Sequence, residues 1–227
     1  MNNSGPFVVG KAERGKGEAF AGRGPNKKMY VQVKSSNGIS TMPVETRLLS
    51  QRRIFLEGEI TQEMACGIAR QMMTLIEEDK ITPINIFINS PGGSVDAGLL
   101  IYDLIHSCGT PVRMYCLGRA GSMAAVLFAS GEHGRYMLEH SELMLHEPGL
   151  SNLVSGNSTS LKSISDGLQE IKERINGLLV KHTGRTKEEI DEATSYDHYF
   201  SAQESVDFGL CDQIVGFAEM IGGKNEY

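Results

Sequence analysis

The serine in the stretch Leu117–Leu127 is the first residue with a claim to chemistry. Ser122 follows a glycine-bearing turn and precedes a run of small apolar residues, a pattern that predicts a strand, a tight turn and a helix. At the first turn of a helix, unpaired N–H groups and the helix dipole favour a developing negative charge. Ser122 is therefore a candidate nucleophile. The alternative is a plain helix N-cap, a position that serine also favours.

A serine nucleophile needs a base, an orienting carboxylate and N–H donors for the oxyanion. His146 ends an apolar strand, where active sites of α/β sheets collect, although a structural role is an equal alternative. Asp197 stands in a loop among aromatic residues, and burial beside them would make it an unusual acidic residue. Gly93, in a glycine pair after another strand, and Met123, next to the serine, offer backbone N–H groups.

The elements that must position these residues alternate between strand and helix. This alternation predicts an α/β fold with a largely parallel sheet. The predicted strands are Met29–Lys34, Ile54–Leu56, Ile84–Ile88, Val112–Leu117, Tyr136–Leu138, Glu142–His146 and Leu210–Val215. Three predicted helices span Val95–His106, Ser122–Ser130 and Leu161–Lys181. Three others are predicted to begin at Thr61, Thr186 and Ser201, and the last two begin with capping boxes.

Composition points to an ordinary soluble protein. The chain has 227 residues, a length sufficient for one large domain with a sizeable core. Of these residues 40% are hydrophobic and 22% are charged, as in an ordinary globular protein. Its apolar runs are too short for a membrane span, and no signal peptide is visible. The four cysteines have no zinc-ligand spacing and resemble reduced core residues. We therefore expect a cytoplasmic protein without a metal site.

Charge is distributed unevenly along the chain. Residues 1–53 carry a balance of +7, and the remainder carries −13. A basic arm can bind nucleic acid, but residues 1–28 are glycine-rich and lack interleaved aromatics, so we expect a flexible segment. Residues 10–17 nearly match a phosphate-binding loop, yet Gly17 replaces the required hydroxyl and no helix pattern follows. Residues 29–227 are predicted to form one domain that binds no nucleic acid.

Four short strings occur in a recognisable order and spacing. They are Ile88-Asn89-Ser90-Pro91-Gly92-Gly93-Ser94, the turn from Gly118 to Ala124, Met144-Leu145-His146-Glu147-Pro148, and Lys181-His182-Thr183-Gly184. Over about Arg53–Val215 the chain resembles the proteolytic subunit of the Clp protease, a self-compartmentalised serine peptidase. The resemblance implies a crotonase-like α/β core of stacked β-β-α units. It also implies a projecting handle helix at about residues 159–182.

The resemblance also implies roles for the candidate residues. Ser122 becomes the nucleophile and His146 the general base, while Asp197 orients the imidazole and stabilises its charged form. The backbone N–H groups of Gly93 and Met123 would form the oxyanion hole. Residues 150–160 would include the strand that lines the substrate groove and pairs with extended peptide.

Further expectations concern partners. The family implies heptameric rings that interlock through the handle helices into a double ring, and unfolded polypeptides as substrates. A partner unfoldase of the Clp AAA+ type would use the ATP, so this chain would need no cofactor. We expect no membrane partner.

The chain departs from the family pattern at several positions. Arg119-Ala120-Gly121 stands where Gln-Ala-Ala is usual, and Ala124 where Gly is usual. Glu147 replaces the usual Gln after the base, and Tyr196 replaces a frequent Arg. Residues 39–49 stand in place of the family's axial-loop segment, so docking by an unfoldase is an open question.

Two alternatives remain at this point. The first is a weakly active structural subunit of a mixed ring that contains an active paralogue. The second is an acyl-CoA-processing relative, since the crotonase fold is shared, although the set of Ser122, His146 and Asp197 argues against it.

Overall fold

The computed structural model describes residues 29–35, 38–149 and 157–222, and the chain divides into two compact units, Met1–Val44 and Glu45–Tyr227. The described part of the first unit is a hairpin. Its strands β1 (Tyr30–Ser35) and β2 (Gly38–Pro43) pair antiparallel. The strand predicted at Met29–Lys34 is confirmed, whereas its partner was not predicted. The basic segment 1–28 and the near-match at residues 10–17 lie outside the described residues.

The second unit alternates strands and helices, as predicted. Its strands are β3 (Arg53–Glu57), β4 (Ile84–Ser90), β5 (Val112–Gly121), β6 (Arg135–Met137), β7 (Glu142–Leu145), β8 (His198–Ser201) and β9 (Gln213–Ile214). The helices are α1 (Val44–Leu49, which begins at the last residue of the first unit), α2 (Gln62–Glu78), α3 (Val95–Ser107), α4 (Met123–Ala129), α5 (Ser158–Thr183), α6 (Lys187–Thr194), α7 (Ala202–Asp207) and α8 (Phe217–Met220).

The helix starts follow the capping chemistry of the sequence. Thr61 caps α2, and the capping boxes predicted at Thr186 and Ser201 are both present. Three short elements, α1, β8 and α8, were not predicted, because they lack sustained periodicity. The strand predicted over Leu210–Val215 is wrong in extent, since only Gln213 and Ile214 pair with β6.

One long strand organises the sheet. Its order is β3-β4-β5-β6-β9, and the pairs along this path are parallel. β5 is ten residues long and pairs with two different strands on the same side. Residues in its first half pair with β6, and its last three residues pair with β7. β8 then adds antiparallel to β7. The end of β5 therefore meets the ends of both β4 and β7 at one edge of the sheet.

The buried core fixes this edge. One apolar cluster joins strands β3–β7 to faces of α2, α3 and α5, and all seven residues of α4 are buried. Because α4 is surrounded on all sides, the residue that precedes it has little freedom to move. The turn that carries Ser122 is thus held by a buried strand on one side and a buried helix on the other.

The helix α5 has two unlike halves. Asn157 caps its start and Gly184, at φ 72°, ends it, so the helix predicted over Leu161–Lys181 is confirmed and slightly longer. Its buried residues, Ile175, Asn176 and Leu179, all lie in the second half. In the first half Leu161 is 45% exposed. Residues 150–156, which include most of the predicted groove segment, lie outside the described residues. Within the described ranges, no helix has the length and apolar character that crossing a membrane requires.

Candidate active site

Ser122 lies between the end of β5 and the first residue of α4, with φ 52° and ψ −125°. A positive φ costs a residue with a side chain roughly 1–2 kcal/mol. The turn is held in part by a hydrogen bond of 2.7 Å from the Ser122 N–H to the Met144 carbonyl oxygen. The hydroxyl makes no capping bond to α4. Ser122 therefore occupies the N-cap position without its side chain capping the helix, and the strained turn leaves the hydroxyl available for another partner.

His146 comes directly after β7. Because Gly121 of β5 pairs with Met144 of β7, Ser122 and His146 both lie just beyond the end of this parallel pair. The Nε2 atom of His146 lies 2.8 Å from the Ser122 Oγ atom, within hydrogen-bonding distance. The histidine side chain is 35% exposed, so a substrate can approach the pair from solvent.

Asp197 reaches the other side of the imidazole. In the antiparallel pair of β7 and β8, Leu145 lies opposite His198, so one more step of the register brings Asp197 to His146. The Asp197 Oδ1 atom lies 3.4 Å from the His146 Nδ1 atom. The Asp197 side chain is 62% exposed, so its aromatic neighbours do not bury it. The neighbouring Tyr196 also faces solvent.

Two glycines bring a second backbone segment against the serine. A Cβ atom on Gly92 would lie 2.7 Å from the Ser122 Cβ and 3.1 Å from the Met123 nitrogen, so only glycine fits. Gly93 forms a parallel bridge with Ile60, in which the neighbouring Gly92 carbonyl and Ser94 N–H make the hydrogen bonds. The Gly93 N–H therefore points away from that bridge.

The N–H groups of Gly93 and Met123 are both available. Among the described residues, neither donates a backbone hydrogen bond. The Met123 N–H belongs to the first turn of α4, where the helix has no internal partner for it. Two free donors beside a serine–histidine pair provide the parts that acyl transfer requires: a nucleophile, a base and groups that stabilise an oxyanion.

Comparison with known proteins agrees with this chemistry. The family model described as Clp protease matches residues 36–217. The chain belongs to the Clp protease family. It is 36% identical over 197 residues to the ATP-dependent Clp protease proteolytic subunit 2 of Chlamydia muridarum, covering 86% of this chain and 96% of that protein. The protein of the same name from Chlamydia trachomatis serovar D matches with the same identity and coverage. The chain is thus a peptidase of a family with a mixed α/β fold.

Glu147, a departure from the Clp protease pattern beside the base, has a partner on α5. Its Oε2 atom lies 2.7 Å from the Lys172 Nζ atom, and this hydrogen bond raises the pKa of Lys172. The negative charge next to His146 is therefore paired. Lys172 was not predicted from the sequence, because the pattern of a helix does not reveal that it packs beside a loop 25 residues earlier in the chain.

Arg119, another departure, ties three strands together. Its Nε atom lies 3.6 Å from the Glu142 carboxylate on β7, and its guanidinium lies 5.5 Å from the centre of the Tyr199 ring on β8. These contacts link β5, β7 and β8, the strands whose ends adjoin Ser122, His146 and Asp197. The changed residue therefore supports the same strand arrangement through charge and cation–π contacts.

Two other histidines pack together rather than toward the serine. His106 and His182 stack with ring centres 5.1 Å apart, next to Tyr102 and Glu132. Burial lowers the pKa of His106, and burial with the nearby Lys181 charge lowers the pKa of His182 to about 4. Neither is hydrogen-bonded to Ser122, whose imidazole partner is His146.

Proposed function

We propose that this chain is a serine endopeptidase subunit of a Clp-type protease and cleaves unfolded polypeptides. The observation that carries the proposal is the 2.8 Å approach of the His146 Nε2 atom to the Ser122 Oγ atom, with Asp197 behind the imidazole. The relatives named as proteolytic subunits support the same conclusion.

The geometry suggests a two-step reaction. As the Ser122 Oγ attacks the peptide carbonyl carbon, His146 Nε2 takes the hydroxyl proton, and Asp197 stabilises the resulting imidazolium. The carbonyl oxygen becomes negative and accepts hydrogen bonds from the Gly93 and Met123 N–H groups. His146 then gives the proton to the leaving amine as the C–N bond breaks. Water, deprotonated by His146, hydrolyses the acyl-enzyme and regenerates Ser122.

We further propose that the subunits assemble into heptameric rings stacked as a double ring. The first half of α5 supports this, because the described part of the chain fully buries none of its apolar residues and leaves Leu161 exposed. Substrate entry would depend on a Clp-family AAA+ unfoldase that consumes ATP, while peptide cleavage itself would need no cofactor. We place the assembly in the cytoplasm.

A weakly active structural role is the second candidate. The exposed Asp197 carboxylate, 3.4 Å from His146, favours it, since an exposed pair at this distance orients an imidazole weakly. In that case a paralogous subunit in a mixed ring would supply most of the activity.

Labelling with a fluorophosphonate probe separates these candidates. The full-length native oligomer should be labelled once per chain and should cleave a short fluorogenic peptide. Ser122→Ala should abolish both signals. Ser50→Ala is the matched control, because its exposed hydroxyl only bonds to the Arg47 carbonyl oxygen, 2.8 Å away. Native mass measured on the same samples shows whether the oligomer is intact.

Each outcome decides between the candidates. Labelling lost only in Ser122→Ala, together with peptide cleavage, supports the endopeptidase. Labelling without cleavage by this chain alone supports the structural role in a mixed ring. An intact oligomer without labelling, or equal labelling of Ser122→Ala, overturns the assignment of Ser122 as nucleophile.

A further inference from the structure

Three potential metal ligands meet at the end of α4 opposite Ser122. His106 comes from the last turn of α3, Glu132 from the loop after α4, and His182 from the last turn of α5. One potential ligand atom of each lies within 4.8 Å of the other two. The His106 Nδ1 atom is 3.3 Å from the Glu132 Oε1 atom. This separation matches two donors on one tetrahedral ion with bonds of about 2.0–2.2 Å.

A second observation shows an unmet need at the same place. The His106 Nε2 atom is buried and has no hydrogen-bond partner among the described residues. A buried polar atom without a partner costs about 1–3 kcal/mol. The Nδ1 atom of the same ring faces Glu132, so it is the nitrogen that would bind an ion beside this carboxylate. Hydrogen bonding within the cluster therefore leaves one nitrogen of this imidazole unused.

Tyr102 supports the cluster from behind. Its hydroxyl lies 2.9 Å from the His182 Nε2 atom, and its ring packs against His106 with centres 4.1 Å apart. A partner of this kind fixes the ring orientation of a metal-binding histidine. The two imidazoles are thus held side by side, 26° from parallel, before any ion arrives.

We propose that His106, Glu132 and His182 bind a divalent transition-metal ion of the zinc class. Two imidazoles and one carboxylate suit Zn²⁺ and its neighbours, and they do not suit Mg²⁺ or Ca²⁺, which prefer oxygen ligands. A water molecule would complete the tetrahedron, because Glu132 faces solvent. The spacing rules used on the sequence cannot find this site, since its ligands lie 26 and 50 residues apart.

The position of the site suggests a structural role for the ion. Glu132 lies ten residues after Ser122, and α4 with its flanking turns separates the two by roughly 15 Å at 1.5 Å per residue. The ion would join the end of α3, the loop after α4 and the base of α5. It would therefore fasten the packed half of α5, while the first half projects.

Lys181 is the natural competitor of the ion. Its Nζ atom lies 3.7 Å from the Glu132 carboxylate and 3.4 Å from the Tyr102 hydroxyl. The lysine side chain is largely exposed, so it can turn out into solvent when an ion binds. Its charge must nevertheless weaken binding, which makes Lys181 a sensitive reporter of the site.

The test measures metal occupancy on the full-length oligomer, in a His146→Gln background that removes the catalytic imidazole. Chelator-treated protein is titrated with Zn²⁺ and, for its visible spectrum, with Co²⁺, and bound metal per chain is counted after dialysis. We expect one ion per chain and a tetrahedral Co²⁺ spectrum. Glu132→Gln and His106→Gln should each weaken binding at least tenfold, and Lys181→Gln should tighten it about two- to tenfold.

The controls make the result decisive. His133→Gln removes an exposed imidazole next to Glu132 and should leave binding unchanged. Glu132→Gln alters an exposed side chain, so it tests the site even if His106→Gln fails to fold. The proposal would be overturned if Glu132→Gln bound the ion with unchanged affinity or if Lys181→Gln bound it more weakly. Absence of binding at micromolar Zn²⁺ would overturn it as well. None of these readouts depends on peptidase activity.

Discussion

Two clusters of this protein contain the same kinds of groups: a hydroxyl, imidazole and a carboxylate. In one, Ser122 Oγ lies 2.8 Å from His146, and Asp197 lies behind the ring. In the other, the Tyr102 hydroxyl lies 2.9 Å from His182, and the carboxylate belongs to Glu132. The distances between hydroxyl and imidazole are nearly equal, so distance alone does not separate a reactive site from an inert one.

The difference lies in what surrounds each hydroxyl. Ser122 stands on a strained turn at the edge of the sheet, and the unpaired N–H groups of Gly93 and Met123 lie beside it. Tyr102 lies inside α3 and is only 8% exposed, and among the described residues its hydroxyl contacts the side chains of His182 and Lys181. We infer that backbone geometry would let one cluster stabilise an oxyanion, while burial would suit the other to binding a metal ion.

The largest effect should come from moving the backbone donors. In Gly93→Ala the new Cβ atom would lie 2.4 Å from the Ile60 carbonyl oxygen, at a φ of 149° that only glycine adopts readily. The Gly93 amide must shift, so we expect kcat to fall at least 100-fold. Steady-state peptide cleavage by the intact oligomer measures this.

Gly67→Ala is the control for that change. Gly67 lies in α2 with nothing within 4 Å of an added Cβ atom, so its variant should keep full activity and gain about 0.5–1 kcal/mol of stability. A Gly93→Ala enzyme with the kcat of wild type would contradict the role of this amide and erase the main difference between the clusters.

Removing the charge behind the imidazole should cost less. In Asp197→Asn the amide cannot stabilise the imidazolium, and the loss in a buried triad reaches about 10⁴-fold. Because water already reaches the Asp197 carboxylate, we expect kcat to fall only about 100-fold, with KM little changed. Asp207→Asn, at an exposed aspartate on α7, should have no effect. A decrease of less than threefold in Asp197→Asn would favour the structural-subunit alternative.

Most of the candidate catalytic cluster could be predicted from sequence because its residues follow strands, whereas Asp197 lies just before β8. Ser122, His146 and the Gly92–Gly93 pair follow apolar runs, and parallel strands end at one edge of a sheet. The exposure of Asp197 could not be predicted, because β8 has too few residues to show a period. Its aromatic neighbour Tyr196 points outward instead of covering it.

The second cluster gives no comparable signal. His106 and His182 lie in the last turns of two helices, where a histidine usually means only a favourable interaction with the helix dipole. Glu132 lies in a loop between α4 and β6. The packing of both α3 and α5 against α4 brings the three together, and that packing depends on interhelical geometry that no local pattern encodes. The length of α5 was predictable, but its lateral contact through Lys172 was not.

That lateral contact provides the next test. Lys172→Met removes the partner of Glu147, which adjoins His146, and should lower kcat about two- to fivefold while KM changes little. Stability should change by about 0.5 kcal/mol or less, since the pair is partly exposed. Lys172 is thus a positioning residue, and Lys172→Arg should restore kcat. Glu147→Gln should add nothing to Lys172→Met in a double-mutant cycle. Additive losses would show that the two residues act separately.

The smallest effect should come from Tyr102→Phe, which deletes a hydroxyl from the second cluster as Ser122→Ala does from the first. Loss of the 2.9 Å hydrogen bond to His182 should lower stability by about 1 kcal/mol and the melting temperature by about 2–4 °C. Peptide cleavage should not change, because Tyr102 supports helices rather than the reacting atoms. Thermal unfolding and peptide cleavage, measured on both variants, make the contrast direct. If Tyr102→Phe also lost most of its peptide cleavage, as Ser122→Ala should, the two clusters would be coupled through α4. The separate roles proposed for them would then be wrong.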